Sequence, residues 1–406
     1  MVFGVSWEAM IRIHRWLGYL FLALGIAHVI CMEMAIAEQG YAMPQNIFKI
    51  PLDYHADNFT IPLMFLAFVA LLITQGILSL EIVRRRMYEV FYYAHHMALV
   101  FFVVMLWHAN MAWYYVIGGL ALWVVDRGVR MFRNLSNVNV LDAECLDGGI
   151  VKLSYLAESG GAGPLKGEET PMQHRAGQFI YLNVPAISTL QWHPFTISSA
   201  PSDNATTNHI KNMGPGTFTD SLYQMVHTLS QAGLAHQLAI NVDGPYGLPV
   251  EFGKYTHILF VAGGIGVTPL HSCFRELYVN VLEGTGRLSG LASVKLVWAA
   301  RDMGVFTAFK DTLSAVKANP GYRIFSYDLF LTENKDVLKA APEKSPHGSQ
   351  LTTTAGRPDI NGMISDLQEF GKKALVFACG PAKMQKECQQ LSMTYGVDYH
   401  GETFEL

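Results

Sequence analysis

The chain has 406 residues, enough for two or three domains, and 51% of them are hydrophobic. A net charge of −4 argues against a nucleic-acid partner. The five cysteines (Cys31, Cys145, Cys273, Cys379, Cys388) fall in no CxxC or zinc spacing, which argues against a disulfide framework or a metal–thiolate site.

The apolar excess sits in residues 10–132. The first apolar run is too long for a cleavable signal peptide and shows no clear small-residue cleavage site. Four membrane helices are predicted, at about 11–36, 61–83, 89–110 and 112–132. Arg12 and Arg15, then Arg84, Arg85 and Arg86, then Arg127, Arg130 and Arg133 all fall on one side of them. That side is therefore read as cytoplasmic. The opposite loop, 37–60, holds Glu38, Asp53 and Asp57 against Lys49 alone. It also carries an Asn58-Phe59-Thr60 glycosylation sequon, a weak signal because chance sequons are common.

Two of these segments carry a histidine near either end: His14 and His28 on the first, His95 or His96 and His108 on the third. Fourteen helical residues span about 21 Å and thirteen about 19.5 Å, so two adjacent helices would offer histidine pairs at two depths. Any single one of these histidines is explained by a bond to a neighbouring helix. Two pairs at matched depths point instead to axial ligation of two haems. His14 and His28 fall within about 40° of each other on a straight helix, whereas His95 and His108 fall about 140° apart and His96 and His108 about 120°. The third segment must then kink, or the two haems approach from different sides. Spacing alone does not choose between His95 and His96.

From Asn137 to about Pro249 the pattern is strand-like. The run 178–185 alternates and ends in proline. His193-Pro-Phe-Thr196 and Ile197-Ser-Ser-Ala-Pro201 follow, and small hydroxyls beside an aromatic at a strand end suit a flavin. Lys211 and the Gly214-Pro-Gly216-Thr217-Phe-Thr219 turn offer a cation and helix-start amides to a pyrophosphate. From Thr256 strands and helices alternate. Strand 257–262 runs into Gly263-Gly-Ile-Gly-Val-Thr-Pro-Leu270, a turn through which backbone amides can approach a phosphate. A second strand, 294–300, ends in Arg301, a cation suited to the 2′-phosphate of NADPH. A third ends in Cys379-Gly-Pro381, and residues 334–360 read as a flexible insertion.

Taken in order, these motifs resemble the ferric reductase/NADPH oxidase superfamily. The resemblance rests on His14…His28, the run from Arg86 to His96, Trp192-His-Pro-Phe-Thr-Ile-Ser-Ser-Ala-Pro201, Gly263-Gly-Ile-Gly-Val-Thr-Pro269 and Cys379-Gly-Pro381, and it covers nearly the whole chain. It implies an α-helical membrane bundle at 1–135, an FAD-binding antiparallel β-barrel at 136–250 and an NADPH-binding α/β domain with a parallel sheet at 251–406. The membrane protein would be multi-pass, with the FAD and NADPH domains in the cytoplasm. It also implies that His95 is the ligand of the doublet. The inner haem b then takes His14 and His95, the outer haem b His28 and His108, with Phe101 between them. His193, Pro194, Phe195, Thr196, Ser198 and Ser199 would hold FAD, with Lys211 and Thr219 near its phosphates. Gly263, Gly264, Gly266, Thr268 and Pro269 would hold NADPH, with Arg301 at its 2′-phosphate. Cys379 and Gly380 would lie near the nicotinamide, and Phe404 would cover the flavin.

The implied activity carries electrons from NADPH through FAD and both haems to a small-molecule acceptor on the outer side. The acceptor is a ferric chelate or oxygen. Met32 stands where NADPH oxidases carry an oxygen-handling histidine, and the outer connection 109–113 is short, which favours a ferric chelate. Relatives usually have six membrane helices, and this chain begins at what resembles the third. Two further helices, or a separate membrane partner protein, are therefore expected. A non-catalytic haem conduit is the competing class, and the intact flavin and nucleotide motifs argue against it.

Overall fold

The computed structural model describes residues 7–38, 60–108, 111–133, 138–159, 168–282, 290–318, 323–333 and 351–402. Phe404, the sequon residues Asn58 and Phe59, and residues 334–350 of the expected insertion lie outside these. The chain divides into two compact units, residues 1–128 with 405–406, and residues 129–404.

The first unit is helical: α1 (Trp7–Glu38), α2 (Thr60–Leu71), α3 (Glu81–Arg86), α4 (Tyr88–His96), α5 (Ala98–His108) and α6 (Ala112–Arg133). Of the four spans expected, one, Met10–Met32 within α1, is long and apolar enough to cross a bilayer among the described residues. The other apolar stretches are shorter: Phe65–Ile77, Val90–Leu106 and Trp113–Asp126. Two of the expected helices are interrupted. Past Leu71, α2 widens into a π-helical turn, Leu72–Ile77, and stops. The segment predicted as one helix over 89–110 breaks at Met97, whose amide bonds back to the Ala94 carbonyl, and restarts as α5. Helices α1 and α2 meet where side chains are smallest. A Cβ on Gly25 would stand 2.9 Å from the Phe68 ring, and one on Gly76 3.6 Å from Leu22. Small residues let apolar helices approach closely.

The second unit begins with two antiparallel sheets. The first contains β1 (Val138–Leu146), β2 (Ile150–Ser159), β3 (Glu168–Thr170) and, paired with β2, the later strand Thr206–Lys211. The second is built from β4 (Phe179–Asn183) and β5 (His193–Thr196), with the strand Asn241–Tyr246 on the other edge of β4. In chain order the two late strands are β6 (Thr206–Lys211) and β7 (Asn241–Tyr246), and α7 (Phe218–Gln231) lies between them. An isolated bridge between Ile197 and Asn208 ties the sheets together. Val151, Leu153, Tyr155, Ile180, Leu182 and Ile197 fill their shared core.

A six-stranded sheet follows, parallel throughout. Its elements are β8 (His257–Gly263), α8 (Val267–Leu282), β9 (Ser293–Ala300), α9 (Met303–Thr307), α10 (Lys310–Ala318), β10 (Phe325–Leu331), β11 (Thr353–Ala355), α11 (Ile360–Ser365), β12 (Ala374–Cys379), α12 (Ala382–Tyr395) and β13 (Asp398–Glu402). The strand order is β11-β10-β9-β8-β12-β13. Phe260, Phe274, Trp298, Phe306 and Phe377 form the core on one side of this sheet, and Val261, Val297, Ile364, Val376 and Ala378 the core on the other. Helices on both sides explain why β12 is buried at every position. The sheet reverses direction of growth at β8, so β8 and β12 open the crevice where such sheets bind ligands.

Candidate functional site

In the helical unit, His14 on α1 and His95 on α4 come together with ring centroids 5.9 Å apart and planes at 83°. Two imidazoles that share one metal at about 2 Å per bond place their ring centres roughly 6 Å apart. The pair therefore fits one iron. The neighbouring His96 is held elsewhere: its Nδ1 meets the Tyr92 carbonyl at 2.7 Å and its ring packs on Tyr92 at 4.5 Å. His28 lies on the exposed surface of α1, and His108 is the last residue of α5.

In the antiparallel sheets, His193 stacks on Phe218 at 4.1 Å, and Phe195 stands parallel to the same ring at 6.3 Å. Pro194 and Thr196 complete β5, paired with Tyr181 and Phe179 of β4. The hydroxyls singled out for the flavin are engaged inside the protein. Ser198 Oγ donates to the Thr207 carbonyl at 2.9 Å and lies 2.7 Å from His209 Nδ1. Ser199 Oγ accepts from the Thr207 amide at 3.0 Å. Lys211 Nζ donates to the Gly148 carbonyl. Thr219 Oγ1 accepts from the Met213 amide at 3.0 Å, in the turn that leads into α7. The N-cap of α7 is Thr217, which accepts from the Asp220 amide at 3.1 Å. In this turn Gly214 and Gly216 have φ of +107° and +81°, with nothing within 4 Å of where a Cβ would stand. An open, left-handed glycine turn entering a capped helix is backbone suited to a diphosphate, so the residues present fit FAD.

At the ends of β8 and β12 the two glycine motifs press against each other. A Cβ on Gly266 would lie 2.8 Å from the Cys379 carbonyl oxygen and 3.0 Å from Gly380 Cα, and one on Gly263 would strike Pro381. Gly380 faces Gly263 with φ +149°. Gly264 differs: its φ is +57°, its Cβ direction is open, and Trp298 Nε1 donates to its carbonyl at 2.9 Å. That open left-handed position at a strand–helix junction fits a dinucleotide phosphate. Thr268 and Pro269 are buried in the first turn of α8, and Thr268 Oγ1 donates to the Ile265 carbonyl at 3.2 Å. Cys379 is fully buried at the end of β12, and burial pushes its thiol well above the usual range, so it stays protonated at neutral pH. Arg301, past the end of β9, is 80% exposed and pairs with Glu333 at 3.2 Å.

Sequence reasoning passed over a polar seam between the antiparallel sheets and the parallel sheet. His271 on α8 lies 2.7 Å from the Ser198 carbonyl through Nδ1 and 2.8 Å from Thr312 Oγ1 through Nε2. Ser272 Oγ donates to the Ser199 carbonyl at 2.7 Å. Arg275 grips Asp203 with bonds of 2.7 to 2.9 Å. Burial lowers His271 to about 4. Burial, with His271 and Lys152 nearby, lowers His209 to about 3. Also passed over were Gln75 and Ser79, which bond to the α4 end. Polar side chains inside an apolar run need partners, and that was the available signal.

Three families match in chain order: "Ferric reductase like transmembrane component" over residues 1–106, "FAD-binding domain" over 164–250, and "Ferric reductase NAD binding domain" over 255–393. The chain belongs to the ferric reductase/NADPH oxidase superfamily. It is 26% identical to a superoxide-generating NADPH oxidase heavy chain of Dictyostelium discoideum, over 78% of this chain and 64% of that one. It is 30% identical to ferric reduction oxidase 8, mitochondrial, of Arabidopsis thaliana, over 64% of this chain and 34% of that one. The chain thus spans between about a third and just under two thirds of the length of these curated relatives. Among solved structures, a flavohemoglobin from Malassezia yamatoensis aligns at TM-score 0.47 and 17% identity, over 85% of this chain and 80% of that one.

Proposed function

We propose that this chain is a transmembrane reductase carrying electrons from NADPH on the cytoplasmic side to an acceptor on the outer side, with 1–135 holding two b haems, 136–250 FAD and 251–406 NADPH. The observation that carries this reading is the approach of His14 and His95 in a helical unit joined to FAD- and NAD-binding domains. When bound, NADPH and FAD supply hydride transfer and the release of single electrons to haem iron.

The chain's own residues bind and orient. His14 and His95 would hold the inner haem, and His28 and His108 the outer. The Gly214–Thr217 turn would receive the FAD diphosphate, with His193, Phe195 and Phe218 as the aromatic wall beside it. Gly264 would admit the nucleotide phosphate. Cys379, a neutral thiol at the β12 end, can offer an S–H but not a negative charge beside the nicotinamide. Arg301 would turn from Glu333 to the 2′-phosphate, and Phe404 would cover the flavin.

A ferric chelate is the favoured acceptor, on Met32 and the short 109–113 connection. Oxygen is the second reading, supported by the similarity to a superoxide-generating oxidase. Pyridine haemochrome quantitation tests the haem content, with two b haems per chain expected and one or none refuting it. Following outer-side Fe(II) chelate and superoxide in the same NADPH-fed membranes decides the acceptor. Superoxide formation that ferric chelate does not suppress would overturn the ferric assignment.

A further inference from the structure

We propose that Ser79 and Gln75 are positioning residues for His95, Ser79 fixing the ring and Gln75 fixing the backbone that carries it. The inference rests on the reading that His95 binds haem iron. For the imidazole to bind metal through Nε2, its proton sits on Nδ1. In the structure Nδ1 lies 3.2 Å from Ser79 Oγ, so the ring donates to the serine and Nε2 is left for the iron. Such partners fix the ring's orientation and raise its basicity.

The backbone needs a separate support. Helix α4 ends at His96, and at the break its last carbonyls, Ala94 O and His95 O among them, take the Met97 amide in place of their usual donors one helical turn on. Gln75 Nε2 donates to two of them, Ala94 O and His95 O, each at 3.2 Å. Both supporting side chains come from the π-helical turn Leu72–Ile77 and the bend just after it. A π turn shifts the register of the residues that follow, and such turns gather at functional sites. The same turn packs against α1, where Gly76 meets Leu22. One irregular turn thus supports His95 from two directions beside the helix that brings His14. An apolar helix of regular pitch has no need of Thr74, Gln75 and Ser79 within six residues. Thr74 donates its hydroxyl to Ala70 O at 2.8 Å and accepts a longer bond of 3.4 Å from Gln75 Nε2, whose shorter contacts are to α4.

The test is a spectroelectrochemical and EPR comparison of the full haem-loaded chain with Ser79→Ala, Ser79→Thr, Ser79→Cys and His95→Ala. Ser79→Ala should weaken retention of one of two haems by about tenfold to a hundredfold. Since a more basic imidazole favours the ferric iron, that haem's potential should rise, by about 59 mV per tenfold lost from the ferric form alone. Ser79→Thr, which keeps the hydroxyl, should retain the parental potential and EPR signal. Ser79→Cys, close in size and a poor acceptor, should shift like alanine with less disturbance of packing. Parental potentials in both Ser79→Ala and Ser79→Cys, or a threonine variant shifted as far as alanine, would overturn the proposal. If His95→Ala kept both haems with parental spectra, the haem assignment itself would fall. If His95→Ala lost a haem while the Ser79 variants stayed parental, only the positioning role would fall.

Discussion

Acid should loosen the flavin and nucleotide unit through two buried histidines. His209 and His271 both face Ser198, one through its hydroxyl and one through its carbonyl, and Phe309 packs on both rings at 4.2 and 4.7 Å. Burial lowers them to about 3 and about 4, against 6.5 for the unfolded chain. A histidine with a lowered folded pKa contributes stability that is complete above pH 6.5. That stability is lost as pH falls from 6.5 toward the folded values, because the unfolded chain takes up protons first. At pH 5 the loss is about 2 kcal/mol per histidine, or roughly 4 kcal/mol together, a large share of a typical folding free energy. For a unit of this size that corresponds to a melting point lower by about 10 °C. The assay is thermal release of FAD fluorescence from the full chain between pH 7.5 and 5. His271→Gln, which keeps a polar side chain but cannot titrate, should remove about half of the pH slope. A melting point flat across this range, or an unchanged slope in His271→Gln, would refute the reasoning.

Four further outcomes follow from the site. Arg301→Ala should raise the Michaelis constant for NADPH about tenfold to a hundredfold and leave NADH nearly unchanged, since a charged hydrogen bond contributes about 1.5–3 kcal/mol; equal losses for both nucleotides would make Arg301 structural. His95→Ala should remove inner-haem absorbance and His96→Ala should not, because His96 is bound to Tyr92; the opposite result in difference spectra would shift the assignment by one residue. Gly266→Ala should cost about 1–3 kcal/mol in a denaturant melt by overpacking against Cys379. Gly264→Ala, with open space beside it, should cost about 1–2 kcal/mol of left-handed strain and show its larger effect in the Michaelis constant for NADPH.

The parts legible in the sequence are those that a period or a fixed strand end dictates. The strands entering Gly263 and Cys379 read correctly because a short apolar run followed by glycine has few other solutions. His14 could be placed on a helix face because α1 is continuous. The third segment was different. An apolar run keeps the same composition whether its helix is straight or broken, and the histidine spacing, which asked for a kink or for haems on different sides, does not say that the break falls at Met97. That break lies beside donors sixteen to twenty residues earlier, Gln75 and Ser79, which no local pattern connects to it. Ser198 and Ser199 illustrate the converse. A hydroxyl beside a flavin motif and a hydroxyl bonded inside a sheet are identical in sequence, and only burial and the Thr207 and His209 partners separate them.

The glycine motifs meet the same limit. Read as sequence, Gly263, Gly264 and Gly266 share one explanation, close approach of backbone to a phosphate, and Gly380 is placed near the nicotinamide. In the structure three of them have another neighbour first. Gly263, Gly266 and Gly380 are small because β8 and β12 run side by side and their ends leave no room for a Cβ between them. Of the four, Gly264 alone combines a left-handed backbone with empty space. The two features are linked: the tight β8–β12 contact sets where the turn sits, and the Trp298 bond holds the Gly264 carbonyl, so the open position is fixed by the protein's own packing. The packing glycines and the open glycine are thus successive layers of one turn, and a motif written as a string merges them.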